Sequence, residues 1–129
     1  MPVYRISKKF AGIEAAHHLD GLPDGHKCSR LHGHSYTVEV TVTAPSLTEP
    51  GFVVDFAELS PLGDYLKKAA DHRVLNEVFG FQPTSENLAR HLYDWCEGNV
   101  PLPGGARIES VRVSETEATW AEYRPGTAP

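Results

Sequence analysis

The sequence predicts an α+β fold in which a four-stranded antiparallel sheet carries two helices on one face, in the order β-β-α-α-β-β. Residues 35–43 alternate strictly between polar and apolar side chains, which is the period of a half-buried strand. Residues 88–96 place apolar side chains at helical spacing. Two further strand-like segments, residues 107–115 and 118–124, close the chain. Together these patterns indicate one layer of helices over one layer of sheet.

Length and charge narrow the class of protein. The 129 residues predict a single domain, residues 1–129, that is large enough to bury a core. The net charge of -5 argues against nucleic acid as a partner. No segment approaches the roughly 18 to 20 apolar residues that span a membrane, and no signal peptide is recognised. We therefore expect a cytoplasmic protein in which Cys28 and Cys96 are free thiols.

The first half of the chain predicts two strands that meet near their histidines. The first strand covers residues 3–10 and then continues, or resumes after a bulge near Gly12, to reach His17. Turn-forming residues at 20–25 predict a loop. The second strand covers residues 32–44. The first strand thus delivers a histidine beside the start of the second.

The second half predicts both helices. A 3₁₀ or irregular turn at residues 56–59 leads into a helix that runs to about residue 70. Asp55 or Ser60 could start this helix, and Ser60 is the better candidate for its cap because Pro61 follows in the first turn. Residues 73–82 show little periodicity and predict a loop. The next helix starts after its cap, Thr84, and ends at Gly98. Its Cys96 lies on the apolar stripe and is expected in the core.

His32 and His34 predict a metal site. Residues two apart on a strand point to the same face, so both imidazoles leave the strand on one side. A catalytic zinc site has three protein ligands and one open position, and a histidine at 17 or 18 supplies the third. Cys28 lies just upstream of the pair. The alternatives are structural histidines that bind nothing, and a Cys28 that is a small buried residue or a fourth zinc ligand.

Several short motifs, taken together, resemble the 6-pyruvoyl-tetrahydropterin synthase family between residues 10 and 123. They are EAAH at 14–17, HKCSRLHGH at 26–34, VDF at 54–56, DH at 71–72 with LN at 75–76, PTSEN at 83–87 and SET at 114–116. The resemblance implies the tunnel fold, in which subunits join their edge strands into a barrel and two rings stack, commonly as a hexamer. It also implies active sites between subunits and a pterin triphosphate, 7,8-dihydroneopterin triphosphate, as substrate.

The same resemblance implies a role for each candidate residue. His17, His32 and His34 bind Zn²⁺, with the EAAH match selecting His17 over His18. The other implied roles are a general base at Cys28, a proton relay at Asp71 and His72, a pterin anchor or relay member at Glu115, and pterin contacts at Thr84 and Ser85. Helix capping accounts equally well for Thr84. Because neighbours at a helix end point apart, we expect Asp71 and His72 to contact Cys28 or another subunit, not each other.

Three residues separate Cys28 from His32, and this spacing resembles the bacterial 6-carboxy-5,6,7,8-tetrahydropterin synthases of the queuosine pathway. The resemblance then implies a zinc-dependent lyase that forms 6-carboxytetrahydropterin, acetaldehyde and triphosphate. Two alternatives stay open: a 6-pyruvoyl-tetrahydropterin synthase, and a non-catalytic pterin-binding protein of the same fold. The sequence does not assign the basic residues that meet the triphosphate, for which Lys8, Lys27, Arg30 and Arg73 are candidates.

Overall fold

A computed structural model describes residues 3–126 as one sheet covered by helices on one face. The strands are β1 (Tyr4–His17), β2 (His32–Ala44), β3 (Arg73–Val74), β4 (Arg107–Thr116) and β5 (Thr119–Tyr123). The helices are α1 (Ser60–Ala69), α2 (Leu75–Val78) and α3 (Ser85–Asn99), with 3₁₀ turns at Lys27–Ser29 and Phe56–Leu59. The sheet has five strands, in the order β3-β1-β2-β4-β5, and the four-stranded prediction is corrected by the short strand β3.

A bulge in β1 decides which residues of this strand face the helices. The antiparallel pairing of β1 with β2 shifts register between Phe10 and Ile13, next to Gly12, whose φ is 73°. One extra residue on a strand sends every later side chain to the opposite face. Ile13, Ala15 and His17 are therefore buried on the same face as Phe10. The bulge expected near Gly12 is confirmed, and it turns His17 into the protein.

The segment expected to be a loop at residues 73–82 contains both β3 and α2. β3 pairs in parallel with Ala15 and Ala16 of β1. Leu75, the first residue of α2, is 1% exposed and belongs to the core. Elements of two and four residues are too short to show a period in sequence, so tertiary pairing and burial define them.

Helix starts follow the capping pattern with one correction. The side chain of Asp55, not Ser60, caps this region by accepting the amide of Ala57 at 2.9 Å, and Ser60 is already the first residue of α1. Thr84 caps α3 as expected, accepting the amide of Asn87 at 3.1 Å. α3 runs to Asn99, one residue beyond the predicted end.

The core lies between the sheet and the helices. Its fully buried members include Val40, Val42, Leu59, Leu62, Leu75, Cys96, Val111 and Val113. Both cysteines are free, and burial raises the pKa of Cys96 to about 12, which keeps its thiol protonated and unreactive. Among the described residues, no helix combines the length and the apolar character that crossing a bilayer requires.

Candidate functional site

Three histidine rings meet where β1 ends and β2 begins. His17 is the register partner of His32, and His34 follows two residues later on the same strand. The ring centroids are 4.6 Å (His17–His32), 5.2 Å (His17–His34) and 4.9 Å (His32–His34) apart. Together with Glu115, near the end of β4, they offer four ligand atoms that lie within 4.8 Å of one another.

Two of these rings have their tautomers fixed by backbone carbonyl groups. Nδ1 of His17 lies 2.7 Å from the carbonyl oxygen of Pro83, and Nδ1 of His32 lies 2.7 Å from that of Arg30. A carbonyl oxygen can only accept, so both Nδ1 atoms carry protons and, in the neutral rings, both Nε2 atoms carry lone pairs. These two Nε2 atoms are 3.1 Å apart. Opposed lone pairs at this distance require a positive charge, either a proton or a metal ion.

The third ring, that of His34, brings another nitrogen atom to the same point. Its buried Nε2 has no hydrogen-bond partner. The nearest carboxylate oxygen, Oε2 of Glu115, lies 2.6 Å away but is not aligned as a hydrogen bond. Burial, ahead of all other causes, lowers the pKa of His34. Nε2 of His34 is thus buried beside the Glu115 carboxylate and close to the ligand atoms of His17 and His32, an arrangement that suits a metal ligand.

Glu115 supplies negative charge to the same point. The pKa of Glu115 is lowered to about 2, first by the imidazole of His17, whose Nε2 lies 3.6 Å from Oε2 of Glu115, and further by the Ser85 hydroxyl and by His34. Oγ of Ser85 donates to Oε1 of Glu115 at 2.9 Å. Burial lowers the pKa of His17, but the nearby Glu115 carboxylate and the Pro83 carbonyl raise it overall. Glu115 therefore places a negative charge beside the histidine rings.

These residues fit a zinc ion. Zinc prefers imidazole nitrogen and carboxylate oxygen at about 2.0 to 2.2 Å, and outer hydrogen bonds to Nδ1 are the usual means of orienting its histidine ligands. The opposed Nε2 atoms of His17 and His32 and the unpartnered Nε2 of His34 meet this pattern. The carbonyl groups of Pro83 and Arg30 were not identified from the sequence, because backbone groups leave no residue signature.

Cys28 lies in the 3₁₀ turn Lys27–Ser29 of the loop that joins the two histidine strands. It is half-buried and is not a member of the four-donor cluster. Nδ1 of His26 accepts its backbone amide at 3.0 Å, and its carbonyl accepts the amide of Leu19 at 2.9 Å. The structure therefore places Glu115, not the Cys28 thiol, as the fourth potential ligand.

Asp71 and His72 contact each other directly, so the prediction that they point apart is wrong. Nδ1 of His72 lies 3.0 Å from Oδ2 of Asp71. His72 has a φ of 59°, in the left-handed region that non-glycine residues rarely adopt, and this turns its side chain back toward its neighbour. Oδ1 of Asp71 accepts the amide of Glu14 at 2.9 Å. That bond first, and His72 second, lower the pKa of Asp71.

A surface groove of about 470 Å³ brings His72 and His34 to the same opening. Its other lining residues include Glu14, Gly33, Ser35 and Arg73. Of the two helix residues expected near the pterin, Ser85 contacts Glu115 while the Thr84 hydroxyl is used for capping. The buried hydroxyl of Tyr36 lies 3.3 Å from Nδ1 of His17 and is a further neighbour of the site. Its position two residues after His34 indicated only that both side chains share a face of the strand.

Comparison with known proteins agrees with this fold. The family model for 6-pyruvoyl tetrahydropterin synthase matches residues 5–126. The 6-carboxy-5,6,7,8-tetrahydropterin synthase of Bacillus subtilis is 36% identical over 123 residues, covering 88% of this chain and 80% of the relative. The protein of the same name from Synechocystis is 39% identical over 124 residues, covering 92% and 91%.

The fold is also that of solved members. The structure of Caenorhabditis elegans 6-pyruvoyl tetrahydropterin synthase has a TM-score of 0.82 to this chain at 25% identity, with 98% of each chain covered. The subunit fold expected for a tunnel-fold protein is thereby confirmed. The chain belongs to the 6-pyruvoyl tetrahydropterin synthase family.

Proposed function

We propose that this protein is a zinc-dependent 6-carboxy-5,6,7,8-tetrahydropterin synthase. It converts 7,8-dihydroneopterin triphosphate and water into 6-carboxytetrahydropterin, acetaldehyde and triphosphate. The observation that carries the proposal is the convergence of His17, His32, His34 and Glu115, whose ligand atoms lie within 4.8 Å of one another, with Nε2 of His17 and Nε2 of His32 opposed at 3.1 Å. The spacing of Cys28 and the names of the Bacillus and Synechocystis relatives support the 6-carboxy product.

The three histidines would hold the zinc ion, and Glu115 stands beside them. When bound, the ion supplies Lewis-acid polarisation of the substrate's side-chain oxygen atoms. The carbonyl groups of Pro83 and Arg30 keep Nδ1 of His17 and His32 protonated. The Nε2 atom of each ring therefore keeps the lone pair with which it would bind the metal ion. Glu115 is ionised and can accept two hydrogen bonds from the N3–H and 2-amino groups of the pterin, with Ser85 fixing its orientation.

Cys28, Asp71 and His72 would move the protons. Cys28, as a thiolate, removes a carbon-bound proton from the side chain of the substrate. The carboxylate of Asp71 fixes Nδ1 of His72, which leaves Nε2 of this exposed ring free to exchange protons. The left-handed backbone of His72 supports this role, because strained residues concentrate where function requires them.

Self-association, to a hexamer, is part of the proposal. β5 is an edge strand, and on the side of β1 away from β2 the short strand β3 covers only Ala15 and Ala16, so most of this outer edge of β1 is unpaired within residues 3–126. Unpaired edges favour pairing with another copy. Light scattering coupled to size exclusion would measure the assembly, and a monomer at micromolar concentration would contradict this part.

Product analysis tests the proposed reaction. Zinc-loaded protein is incubated with 7,8-dihydroneopterin triphosphate, the pterins are identified by mass spectrometry, and acetaldehyde is trapped in parallel. We expect a carboxy-pterin with an equal amount of acetaldehyde. A pyruvoyl-pterin without acetaldehyde would keep the site and replace the product. Zinc-loaded protein that binds the pterin without consuming it would instead establish a binding protein.

A further inference from the structure

Two side-chain amides bind the backbone that follows β1. Oδ1 of Asn76 accepts the amide of His18 at 2.9 Å, while its Nδ2 donates to the carbonyl of His18 at 2.9 Å. Gln82 does the same for Asp20, accepting its amide at 2.7 Å and donating to its carbonyl at 3.1 Å. Each carboxamide thus satisfies the donor and the acceptor of one residue, as a neighbouring strand would.

The opposite edge of the same short segment binds Cys28. The amide of Leu19, which lies between the two residues held by carboxamides, donates to the carbonyl of Cys28 at 2.9 Å. Alternate residues of an extended segment direct their hydrogen-bonding groups to opposite edges. Asn76 and Gln82 therefore hold one edge of residues 18–20, and Cys28 is attached to the other.

Few other bonds fix the position of Cys28. Within the described part of the chain, the remaining hydrogen bonds of residues 23–29 stay in or next to the loop, from His26 to Pro23, from Ser29 to His26, from Cys28 to His26, and from Arg30 to Lys27. The bond with Leu19 is thus the one that joins residues 23–29 to the segment that follows β1. If residues 18–20 become more mobile, the turn that carries Cys28 is held less firmly relative to β1.

The anchoring groups are themselves tied to the metal cluster. Gln82 precedes Pro83, the residue whose carbonyl holds Nδ1 of His17 at 2.7 Å. The carbonyl of Gln82 in turn accepts the side chain of Asn87, in the first turn of α3, at 3.0 Å. Gln82 and Pro83 therefore contact the start of α3 and the candidate metal ligand His17, and through residues 18–20 they also hold the backbone to which Cys28 is bonded.

We propose that Asn76 and Gln82 are positioning residues that set the place of Cys28 relative to the histidine cluster. Neither is assigned a contact with substrate; both act through the backbone of residues 18–20. The catalytic meaning of this position rests on the proposed function of Cys28, whereas the tether itself does not. A carboxamide is required at both places, because a carboxylate has no N–H to donate and an aliphatic side chain offers neither group.

The test measures the tether without using substrate. Asn76→Ala and Gln82→Ala are compared with the wild-type protein and with Asn99→Ala, which removes a carboxamide bonded 2.8 Å from the carbonyl of Trp95 at the far end of α3. Hydrogen exchange is followed at the amide of Leu19, whose acceptor, the Cys28 carbonyl, is present in every variant. Alkylation of Cys28 by iodoacetamide is measured in parallel, since the other thiol, Cys96, is 0% exposed.

We expect each alanine variant at 76 and 82 to increase exchange at Leu19 and alkylation at Cys28 by at least about fivefold, the effect of losing two hydrogen bonds. The zinc content of every variant should equal that of the wild type. Asn99→Ala should also show wild-type exchange at Leu19 and wild-type alkylation at Cys28. In turnover, kcat should fall by about the same factor with KM unchanged. The isosteric variants Asn76→Asp and Gln82→Glu, which keep side-chain size, should show the same direction and serve if an alanine variant fails to fold.

Unchanged exchange at Leu19 and unchanged Cys28 alkylation in folded variants at both positions would overturn the proposal. Faster exchange with wild-type kcat would show a tether without a positioning role and would overturn it as well. An inactive wild-type protein would contradict the proposed function, and the exchange and alkylation data would still decide whether the tether exists.

Discussion

Two groups of aromatic and histidine side chains differ in how their ring nitrogens are satisfied. The first is the cluster of His17, His32 and His34. The second surrounds His91 on α3, whose ring lies 4.8 Å from that of Phe79 and 5.3 Å from that of Phe81. In both groups burial is the first cause acting on the histidine pKa, and it lowers the pKa of His34 and of His91 alike.

The difference lies in the hydrogen bonds. Nε2 of His91 lies 2.7 Å from the hydroxyl of Tyr65, which gives this nitrogen a hydrogen-bond partner within the second group. Nε2 of His34 has none, and those of His17 and His32 face each other. Burial therefore lowers the pKa both of a histidine that only packs, His91, and of a candidate metal ligand, His34, so neither property distinguishes the two. Accounting for each nitrogen separates them, because an unpartnered buried nitrogen is costly unless an ion completes it.

The largest expected effect comes from removing one ring from each group. His34→Ala should lower zinc affinity and turnover by more than about a hundredfold, since loss of outer-shell partners alone costs 10 to about 100-fold. His91→Phe, which keeps an aromatic ring among Phe79 and Phe81, should retain zinc and turnover. Metal analysis and product formation measure both. Equal zinc loss in the two variants would remove the distinction between the groups.

Within the first group, Cys28→Ala separates proton transfer from metal binding. Turnover should fall by at least about a hundredfold, the usual contribution of a general base. Zinc content should stay at the wild-type value, because the thiol is outside the four-donor cluster. Turnover and metal analysis on the same preparation decide this, and wild-type turnover would exclude Cys28 from the reaction.

Zinc should also stabilise the fold through the first group alone. At a free zinc concentration of about 100 times Kd, the free energy of unfolding should rise by about 2.7 kcal/mol. Denaturant unfolding with buffered zinc and with chelator measures the difference. The increase should persist in His91→Phe and vanish in His34→Ala, and an increase that survives in His34→Ala would place the ion elsewhere.

The smallest effect concerns pH and the second group. Burial lowers the pKa of His91 below its usual value of 6.5, against the charge of Asp94. Below pH 6.5 the unfolded chain therefore binds more protons than the folded chain at this position, and stability falls as the pH falls. Between pH 7.5 and 5, His91→Phe should lose less unfolding free energy than the wild type when both are measured with chelator. Parallel pH profiles would contradict this.

Local patterns in the sequence were sufficient for the elements that position the site. The alternation after His34 predicted β2. Gly12 indicated the bulge that turns His17 to the face of the sheet on which His32 and His34 lie. Thr84 marked the start of α3. These features depend on neighbours within a few residues, so their period and capping groups can be read directly.

Other features depend on distant parts of the chain. β3 exists because Arg73 and Val74 lie beside Ala15 and Ala16, and a two-residue strand has no period of its own. The contact of Asp71 with His72 follows from a positive φ that no residue type announces. Motif spacing singled out Glu115, but its approach to His34 depends on the pairing of β4 with β2.

Residue spacing and side-chain chemistry were sufficient to identify the family, the order of the main elements and the candidate residues, because both are local properties. Tertiary structure alone decided which nitrogen atoms oppose one another and which carbonyl groups fix them. It also decided that Asn76 and Gln82 hold the backbone beside Cys28. Several of these relations come from the packing of segments more than fifty residues apart in sequence, as between His17 and Pro83 with a separation of 66 and between His18 and Asn76 with a separation of 58, and local sequence periodicity carries no information about them.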